Sequence, residues 1–295
     1  MGCCGCGWRA PRQLRYVPPA IVCALIAWLY GSFVYFAQPL LLAAGAHVAA
    51  LAAFHLMTAL LCASLARCLN SRESFVPRNT LARGKAPAPV WEGEGAAVES
   101  KMNGDVRYCR KCRAVKPDRA HHCSTCRRCV LKMDHHCVYI NKCIGFYNYK
   151  YFLLFLGWSS ATCLFQSALL FRYLLTDSLN HTGRLYVYGK LRFLSPSLQV
   201  MLVFFFSFCL GAALLCFYVM HLYFTARNYS TLEFYEKRRE PYFVNYFDLG
   251  VVRNVQQVFG TFRELPYWLV PVQSPSTQRA LGRRFPVNSK YAKED

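Results

Sequence analysis

Seven cysteines and four histidines are concentrated between residues 109 and 143. The cysteines are Cys109, Cys112, Cys123, Cys126, Cys129, Cys137 and Cys143, and the histidines are His121, His122, His135 and His136. Cys-x2-Cys pairs with nearby histidines are typical of tetrahedral zinc sites, because the two-residue gap lets one turn present both thiolates to the same ion. The segment therefore predicts two zinc sites.

The candidate ligands outnumber what two zinc ions need. Two four-coordinate sites use eight of the eleven Cys and His side chains, which leaves three over. A nucleophilic cysteine needs a neighbouring base, and the run Asp134-His135-His136-Cys137 supplies a carboxylate, two imidazoles and a thiol. These residues indicate a reactive cysteine beside the zinc sites, although spacing alone leaves open which cysteine is free.

Long uncharged stretches flank this segment. No Asp, Glu, Lys or Arg occurs in residues 16–66, 151–171 or 193–226. A membrane-spanning helix needs about 20 apolar residues, so the first stretch fits two helices, with a tight turn between residues 38 and 45. The other two stretches fit one helix each. We therefore predict an α-helical integral membrane protein with four transmembrane helices and a two-zinc, cysteine-rich domain between helices 2 and 3.

The distribution of Lys and Arg predicts the orientation. Both ends of the chain and the middle segment are rich in basic residues, whereas the loops after helices 1 and 3 have few or none. The positive-inside rule then puts both termini and the cysteine-rich domain in the cytosol. The net charge of +20 is explained by this bias and by attraction to anionic lipid head groups, so we expect no nucleic-acid partner. The sequon at Asn180 falls in the predicted lumenal loop.

The chain divides into six predicted regions. These are a cytosolic N-terminal stub (1–15), helices 1 and 2 (16–67), a cytosolic linker (68–107), the cysteine-rich domain (108–149), helices 3 and 4 with a lumenal loop (150–226), and a cytosolic C-terminal region (227–295). Apolar residues recur every three positions from Leu249 to Val258, which indicates an amphipathic helix that lies on the membrane surface or packs on the zinc domain. The last twenty or so residues are expected to be disordered.

The cysteine-rich segment resembles that of the DHHC protein S-acyltransferases, the palmitoyltransferases. The matching residues are Tyr108-Cys109, Cys112, Lys116 to Cys123, Cys126, Cys129, Lys132 to Cys137, Asn141, Cys143, Gly145, Phe146, Asn148 and Tyr149. After helix 4, Ser230-Thr231-Leu232-Glu233 resembles the family's Thr-Thr-x-Glu motif, and Asn254 lies in a stretch similar to its later aromatic-rich element. The resemblance covers roughly residues 16 to 265.

The resemblance implies a ligand set and a mechanism. One zinc would take Cys109, Cys112, His122 and Cys129, and the other Cys123, Cys126, His136 and Cys143. Asp134 would orient His135, the base, and Cys137 would be the nucleophile. The protein would be an enzyme that moves a palmitoyl or similar acyl group from acyl-CoA to cysteines of membrane-associated proteins at the cytosolic face. It would do so by a ping-pong route through an acyl-enzyme, in an endomembrane (Golgi or ER) or the plasma membrane.

The resemblance also suggests where the substrate lies. The acyl chain would run among the helices beside Trp28, Leu29, Phe152, Phe155 and Thr162, although ordinary helix packing would explain the same residues. The CoA phosphates would meet Lys116, Arg119 and Lys132, for which the alternative is a solvated basic face. The family usually has Pro-Trp after the nucleophile, and Val138-Tyr139 stand there in this chain.

Three other interpretations remain open. A membrane-anchored zinc module that binds partner proteins would explain the metal ligands and the helices, but not the leftover Asp-His-Cys group. A nucleic-acid-binding zinc protein would explain the charge, but not four membrane helices. A pseudoenzyme with the fold but no activity would be consistent with Val138-Tyr139.

Overall fold

The computed structural model describes residues 12–43, 47–76, 107–180, 196–237, 244–278 and 285–291. Its membrane-type helices are α1 (Val17–Ser32), continued by a π-helical turn and α2 (Gln38–Ala43), then α3 (Val48–Asn70), α4 (Tyr149–Asn180) and α5 (Pro196–Ala226). Within the described residues, four stretches are long and apolar enough to cross a bilayer: Gln13–Ala37, Val48–Asn70, Tyr149–Leu175 and Leu198–Ala226. The chain is a multi-pass membrane protein, which confirms the predicted fold class.

Several predicted segments lie outside the described residues. They include the N-terminal stub up to residue 11, most of the linker, the first-loop residues 44–46, and residues 181–195 of the predicted lumenal loop with the second and third positions of the sequon. The first membrane helix runs further than the sequence suggests, since it continues through Pro39 to Ala43. A π turn at Phe33–Ala37 precedes the proline, as expected where a residue without an N–H interrupts the helical ladder.

The cysteine-rich segment forms three antiparallel hairpins. They pair β1 (Tyr108–Cys109) with β2 (Ala114–Val115), β3 (His121–Cys123) with β4 (Arg128–Val130), and β5 (His135–Cys137) with β6 (Lys142–Ile144). Corresponding positions are 14 residues apart: Cys109, Cys123 and Cys137 occupy the same place before each turn. Each turn ends in a residue with positive φ, namely Arg113, Arg127 and Asn141. The domain is therefore a threefold repeat of one hairpin.

The third hairpin is fixed to the membrane helices on both sides. Lys142, directly opposite Cys137, donates hydrogen bonds to the carbonyls of Leu69 and Ser71 at the end of α3, at 2.9 and 2.6 Å. After β6, a side chain at Gly145 would bring a Cβ within 2.8 Å of the Leu131 carbonyl oxygen, so only glycine fits there without a shift. The Asn148 side chain then accepts a hydrogen bond from the Gly145 N–H, and α4 begins at the next residue. These contacts hold the hairpin that carries Cys137 against the C-terminal end of α3 and the N-terminal end of α4.

The C-terminal segment wraps over the cysteine-rich domain and the ends of α4 and α5. It contains α6 (Thr231–Lys237), α7 (Val251–Phe259), a 3-10 helix (Phe262–Tyr267) and α8 (Pro275–Gln278). On α7, Val255 and Val258 pack against the cluster that contains Cys137, whereas Val251 and Val252 are exposed. The amphipathic pattern thus reflects packing on one face of this helix.

The expectation of a disordered C-terminus is wrong for residues 285–291. Phe285 is buried and its ring contacts those of Phe146 and Phe247, while Asn288 bonds to the backbone of Tyr246 and Asp248. A buried aromatic side chain outweighs the polar composition of the sequence around it.

Candidate active site and metal-binding clusters

Eight Cys and His side chains form two compact clusters. Cys109, Cys112, His122 and Cys129 make the first, and Cys123, Cys126, His136 and Cys143 make the second, with all potential ligand atoms of each cluster within 4.8 Å of one another. In the second cluster, Nδ1 of His136 lies 3.4 Å from Sγ of Cys126 and 3.5 Å from Sγ of Cys143. Such spacings match the edges of a tetrahedron around zinc, about 3.5 Å for bonds of about 2.0–2.3 Å. Both clusters could hold a metal ion, and they are the groups that the resemblance implies.

The hairpin repeat explains why Cys137 belongs to neither cluster. In the first two hairpins, the thiol before the turn is joined by a second one from Cys112 or Cys126. Ile140 stands at that position in the third hairpin and is buried in the apolar cluster around Cys137. Without a partner thiol, the third turn is not a metal knuckle. The 14-residue repeat is present in the sequence, but it identifies the free cysteine only once the structure shows that the three segments are equivalent hairpins.

Asp134 and His135 form a hydrogen-bonded pair next to Cys137. Nδ1 of His135 lies 2.7 Å from Oδ2 of Asp134, which is almost fully buried. Burial opposes a charged His135, but the hydrogen bonds and charges of Asp134 and Cys137 outweigh it and raise the His135 pKa to about 9. Burial also opposes a charged Asp134, yet its bond and interaction with His135 and the bond from Thr231 leave its pKa lowered. The pair therefore favours a carboxylate that holds the imidazole by Nδ1, with Nε2 left for other chemistry.

The motif after α5 holds the Asp134 side chain in place. The backbone N–H of Thr231 donates to Oδ1 of Asp134 at 2.9 Å, and the Thr231 hydroxyl donates to Oδ2 at 2.8 Å. Ser230 and Glu233 cap α6 by reciprocal bonds, because the Ser230 N–H donates to the Glu233 carboxylate and the Glu233 N–H donates to the Ser230 hydroxyl. Asn254 bonds to the Ala226 carbonyl and so joins α7 to the end of α5.

Arg119 forms a buried ion pair with Glu233. Both nitrogens of one guanidinium edge lie 2.7 Å from the two carboxylate oxygens, and Nη1 donates to Oδ1 of Asn228. The guanidinium also stacks between the rings of Phe247 and Phe285, and the side chain has no exposed surface. The prediction that Arg119 contacts CoA phosphates is therefore wrong, because all its charge is used inside the protein.

The other two predicted phosphate contacts differ from Arg119. Lys132 donates to Oδ1 of Asn228, and burial together with the nearby Arg119 charge lowers its pKa to about 7. It lines a second cavity rather than the apolar one described next. Lys116 is half-buried in the turn after β2, where its N–H bonds to the Arg107 carbonyl.

An apolar cavity of about 530 Å³ runs from Cys137 into the helix bundle. Its lining includes Leu29, Phe152, Phe155 and Thr162, as well as His135 at the mouth and Gln166 further along α4. Phe152 and Gln166 are 14 positions apart on α4, which corresponds to about 21 Å of helix. A cavity of this size and lining suits a long apolar ligand.

Trp28 is the exception among the predicted cavity residues. It does not line this cavity, because its ring packs edge-to-face against Phe206 on α5. Helix periodicity explains the difference, since Trp28 and Leu29 point about 100° apart on α1 and, of these two, Leu29 lines the cavity.

Sequence reasoning missed His221, a fully buried residue of α5. Its ring centroid lies 6.2 Å from that of His135 and 5.2 Å from that of Phe152, and the Tyr149 hydroxyl lies 3.2 Å from its Nδ1. A single histidine in an apolar helix carries no spacing signal, so only the packing of α5 reveals it beside the site. Val138 and Tyr139 are both exposed at the cavity mouth.

The fold and the site define a multi-pass membrane protein that carries a free thiol between a metal-binding domain and an apolar cavity. A family model for the DHHC palmitoyltransferase matches residues 102–238. The rat palmitoyltransferase ZDHHC2 is 34% identical over 292 residues, with 90% of this chain and 75% of that protein covered. The rat palmitoyltransferase ZDHHC15 is 31% identical, with 63% and 52% covered, and the zebrafish ZDHHC20-B is 33% identical, with 62% and 53% covered.

The chain belongs to the DHHC palmitoyltransferase family and is a protein S-palmitoyltransferase. This confirms the resemblance that the cysteine-rich segment predicts.

Proposed function

We propose that the protein transfers a palmitoyl or similar acyl group from acyl-CoA to cysteine thiols of membrane-associated proteins through an acyl-enzyme on Cys137. The observation that carries this proposal is the position of one thiol outside both metal clusters, next to the Asp134–His135 pair and at the mouth of an apolar cavity. The cavity suits the acyl chain, since each CH₂ removed from water contributes about 0.8 kcal/mol. We propose that this site lies at the cytosolic face of an endomembrane (Golgi or ER) or the plasma membrane, which the distribution of Lys and Arg supports.

The first half-reaction forms the acyl-enzyme. His135 accepts the Cys137 proton on Nε2, while Asp134 stabilises the imidazolium through Nδ1. The thiolate attacks the thioester carbonyl, a new C–S bond to Cys137 forms, and the C–S bond to CoA breaks. The CoA thiolate takes the proton from His135 and leaves.

The second half-reaction mirrors the first. A cysteine of the protein substrate gives its proton to His135 and attacks the acyl-Cys137 thioester. The bond to Cys137 breaks, and Cys137 recovers the proton. Since one thioester replaces another in each half, the enzyme supplies mainly positioning and thiol activation.

The acyl-enzyme can be tested directly. Purified full-length protein incubated with palmitoyl-CoA is expected to gain the mass of one acyl group, to lose it in neutral hydroxylamine, and to carry it on the Cys137 peptide in mass spectrometry. If zinc-loaded, folded protein gains no adduct on Cys137, the proposal fails and the partner-binding module or the pseudoenzyme takes its place.

We propose that both clusters bind structural zinc, with Cys109, Cys112, His122 and Cys129 around one ion and Cys123, Cys126, His136 and Cys143 around the other. Filled four-ligand sites stabilise a fold whose strands are only two or three residues long. The Cys126→Ser variant is therefore expected to hold one zinc per chain where wild type holds two, as counted by elemental analysis. Cys216→Ser, an exposed thiol of α5, is the matched control and keeps both ions. Two ions retained in Cys126→Ser would contradict the assignment.

We propose that Thr231 is a positioning residue that acts through Asp134. Thr231→Val keeps the shape of the side chain and the backbone bond but removes the hydroxyl bond to the carboxylate. A hydrogen bond to a charged group contributes about 1.5–3 kcal/mol, so the rate of acyl-enzyme formation is expected to fall about tenfold or more. Single-turnover release of CoA measures this rate. Ser64→Ala, which removes a hydroxyl that donates to the Leu60 carbonyl within α3, is the control; equal rates in both variants would refute the role.

A further inference from the structure

A second cavity, of about 340 Å³, lies where α3, α4, the cysteine-rich domain and the C-terminal segment meet. Among the described residues, its lining includes four basic side chains, Arg67, Arg72, Lys132 and Lys150, and no Asp or Glu. None of these described lining residues is shared with the apolar cavity. The cavity is therefore a positively charged space separate from the apolar cavity at Cys137.

Within the part of the chain that the structure describes, the four cations contact only neutral groups. Arg67 donates to the Tyr151 hydroxyl, and Arg72 stacks on the ring of Tyr147. Lys132 donates to the amide oxygen of Asn228. An arginine has five N–H donors and a lysine three, so each retains donors for another ligand.

Lys150 is the least expected member of this group. It is 2% exposed, and its ammonium donates to the carbonyl oxygens of Tyr267 and Val272. The Glu264 carboxylate acts on it only through space and is itself bonded to Ser276 and Thr261. A buried ammonium without a contacting anion is costly, and a bound anion removes that cost.

A further unpaired donor lies at the same cavity. Nε2 of Gln257, on α7, is buried and has no hydrogen-bond partner among the described residues, although its residue lines the cavity. A buried amide N–H without a partner costs free energy, so its presence in a residue that lines the same cavity as four basic side chains points to an acceptor ligand. The unpaired donor and the unpaired charges therefore indicate the same kind of occupant.

We propose that this cavity binds a phosphate group, and that its source is the head group of an anionic phospholipid. Phosphate accepts several charge-assisted hydrogen bonds at once and suits guanidinium and ammonium donors together. Arg67 lies in the last turn of α3 and Lys150 in the first turn of α4, so the cavity lies at the helix ends, where lipid head groups are expected. The phosphates of CoA are the second source of the same chemistry.

The bound phosphate bridges four parts of the molecule. Arg67 belongs to α3, Lys132 to the cysteine-rich domain, Lys150 to α4 and Gln257 to α7. A ligand that binds the folded protein and not the unfolded chain raises its thermal stability by mass action. The expected signature is therefore an increase in Tm that requires no turnover, so this inference can fail while the acyl-transfer proposal stands.

The test uses delipidated full-length protein in detergent and measures Tm against added ligand. The ligands are dioctanoyl phosphatidic acid, CoA without an acyl group, and dioctanoyl phosphatidylcholine. Phosphatidic acid is expected to raise the Tm of wild type, and the half-maximal concentration is expected to rise about tenfold or more in Arg67→Gln/Arg72→Gln. Arg253→Gln is the matched control, since Arg253 is exposed on α7 and does not line the cavity.

The outcomes separate the possibilities. A shift with phosphatidic acid that the double variant weakens supports the lipid head group, and a shift with CoA alone supports the phosphate site with CoA as its source. An equal response to phosphatidylcholine, or a response that the double variant leaves unchanged, overturns the proposal, as does no response in wild type. If the double variant is unstable without ligand, the single variant Arg72→Gln replaces it and is expected to raise the half-maximal concentration of phosphatidic acid; an unchanged response in that variant overturns the proposal.

Discussion

Cys137→Ser is expected to lower the rate of palmitoyl transfer by at least about three orders of magnitude, with both zinc ions retained. A serine hydroxyl holds its proton far more tightly than a thiol, so His135 cannot produce the nucleophile at neutral pH. The measurement is transfer of labelled palmitate to an acceptor cysteine peptide, together with the initial burst of CoA. Both signals are expected to be lost, because both half-reactions pass through the Cys137 thioester.

Cys68→Ala is the matched control for that variant. Cys68 is fully buried and belongs to the same apolar cluster as Cys137, but it does not line the acyl cavity. We expect it to keep the hydroxylamine-labile adduct and most of the transfer rate. An adduct that persists in Cys137→Ser and disappears in Cys68→Ala would identify Cys68 as the nucleophile and contradict the proposed role of Cys137.

Glu233→Ala is expected to destabilise the protein by about 3–5 kcal/mol, since it leaves the buried guanidinium of Arg119 without its carboxylate. The rate of acyl-enzyme formation is also expected to fall, because Glu233 caps α6, whose first residue, Thr231, donates a hydrogen bond to Asp134. Thermal unfolding of the zinc-loaded protein measures the stability, and CoA release measures the activity. A Tm equal to that of wild type would show that the ion pair is not needed to join the two segments.

A second variant separates the effect of the unpaired buried charge on stability from the effect of lost packing. Replacing both partners by apolar residues, in Arg119→Met/Glu233→Leu, removes the buried charge together with its counter-ion. Such replacements of a buried ion pair often restore much of the stability that a single change removes. We therefore expect the double variant to unfold at a higher temperature than Glu233→Ala. If the double variant is the less stable of the two, the network around Asn228 rather than the ion pair accounts for the effect.

The topology could be predicted from sequence because a bilayer imposes a length and an apolar composition on each crossing. Residues 16–66 were sufficient to predict two crossings, and the start of α5 at Pro196 agrees with the third uncharged stretch. The Cys-x2-Cys spacing predicted two zinc sites in the same way, whereas the assignment of ligands to each cluster was implied by the family resemblance. Local patterns carry this information because turns and strands fix their geometry over a few residues.

Contacts between distant parts of the chain were not accessible in this way. Arg119 and Glu233 are 114 positions apart, so no local pattern pairs them. From sequence alone, a basic residue beside a zinc cluster was therefore predicted to contact phosphate, and only the structure shows that it is buried. The lining of the acyl cavity depends on how α1 is rotated against α5, which is why Leu29 lines it and Trp28 does not. Apolar residues all round a membrane helix leave its rotation unspecified by sequence.

The family, the four crossings and the group of residues from Asp134 to Cys137 could be predicted, because residue spacing and the length of uncharged stretches are local properties of the chain. Long-range packing had to be observed to find that Arg119 is internal, that Phe285 stacks on it, and that Arg67, Lys132, Lys150 and Gln257 line one cavity. Each of these depends on packing between segments far apart in sequence, where the free energy of burial and pairing selects among many arrangements that the local pattern allows equally.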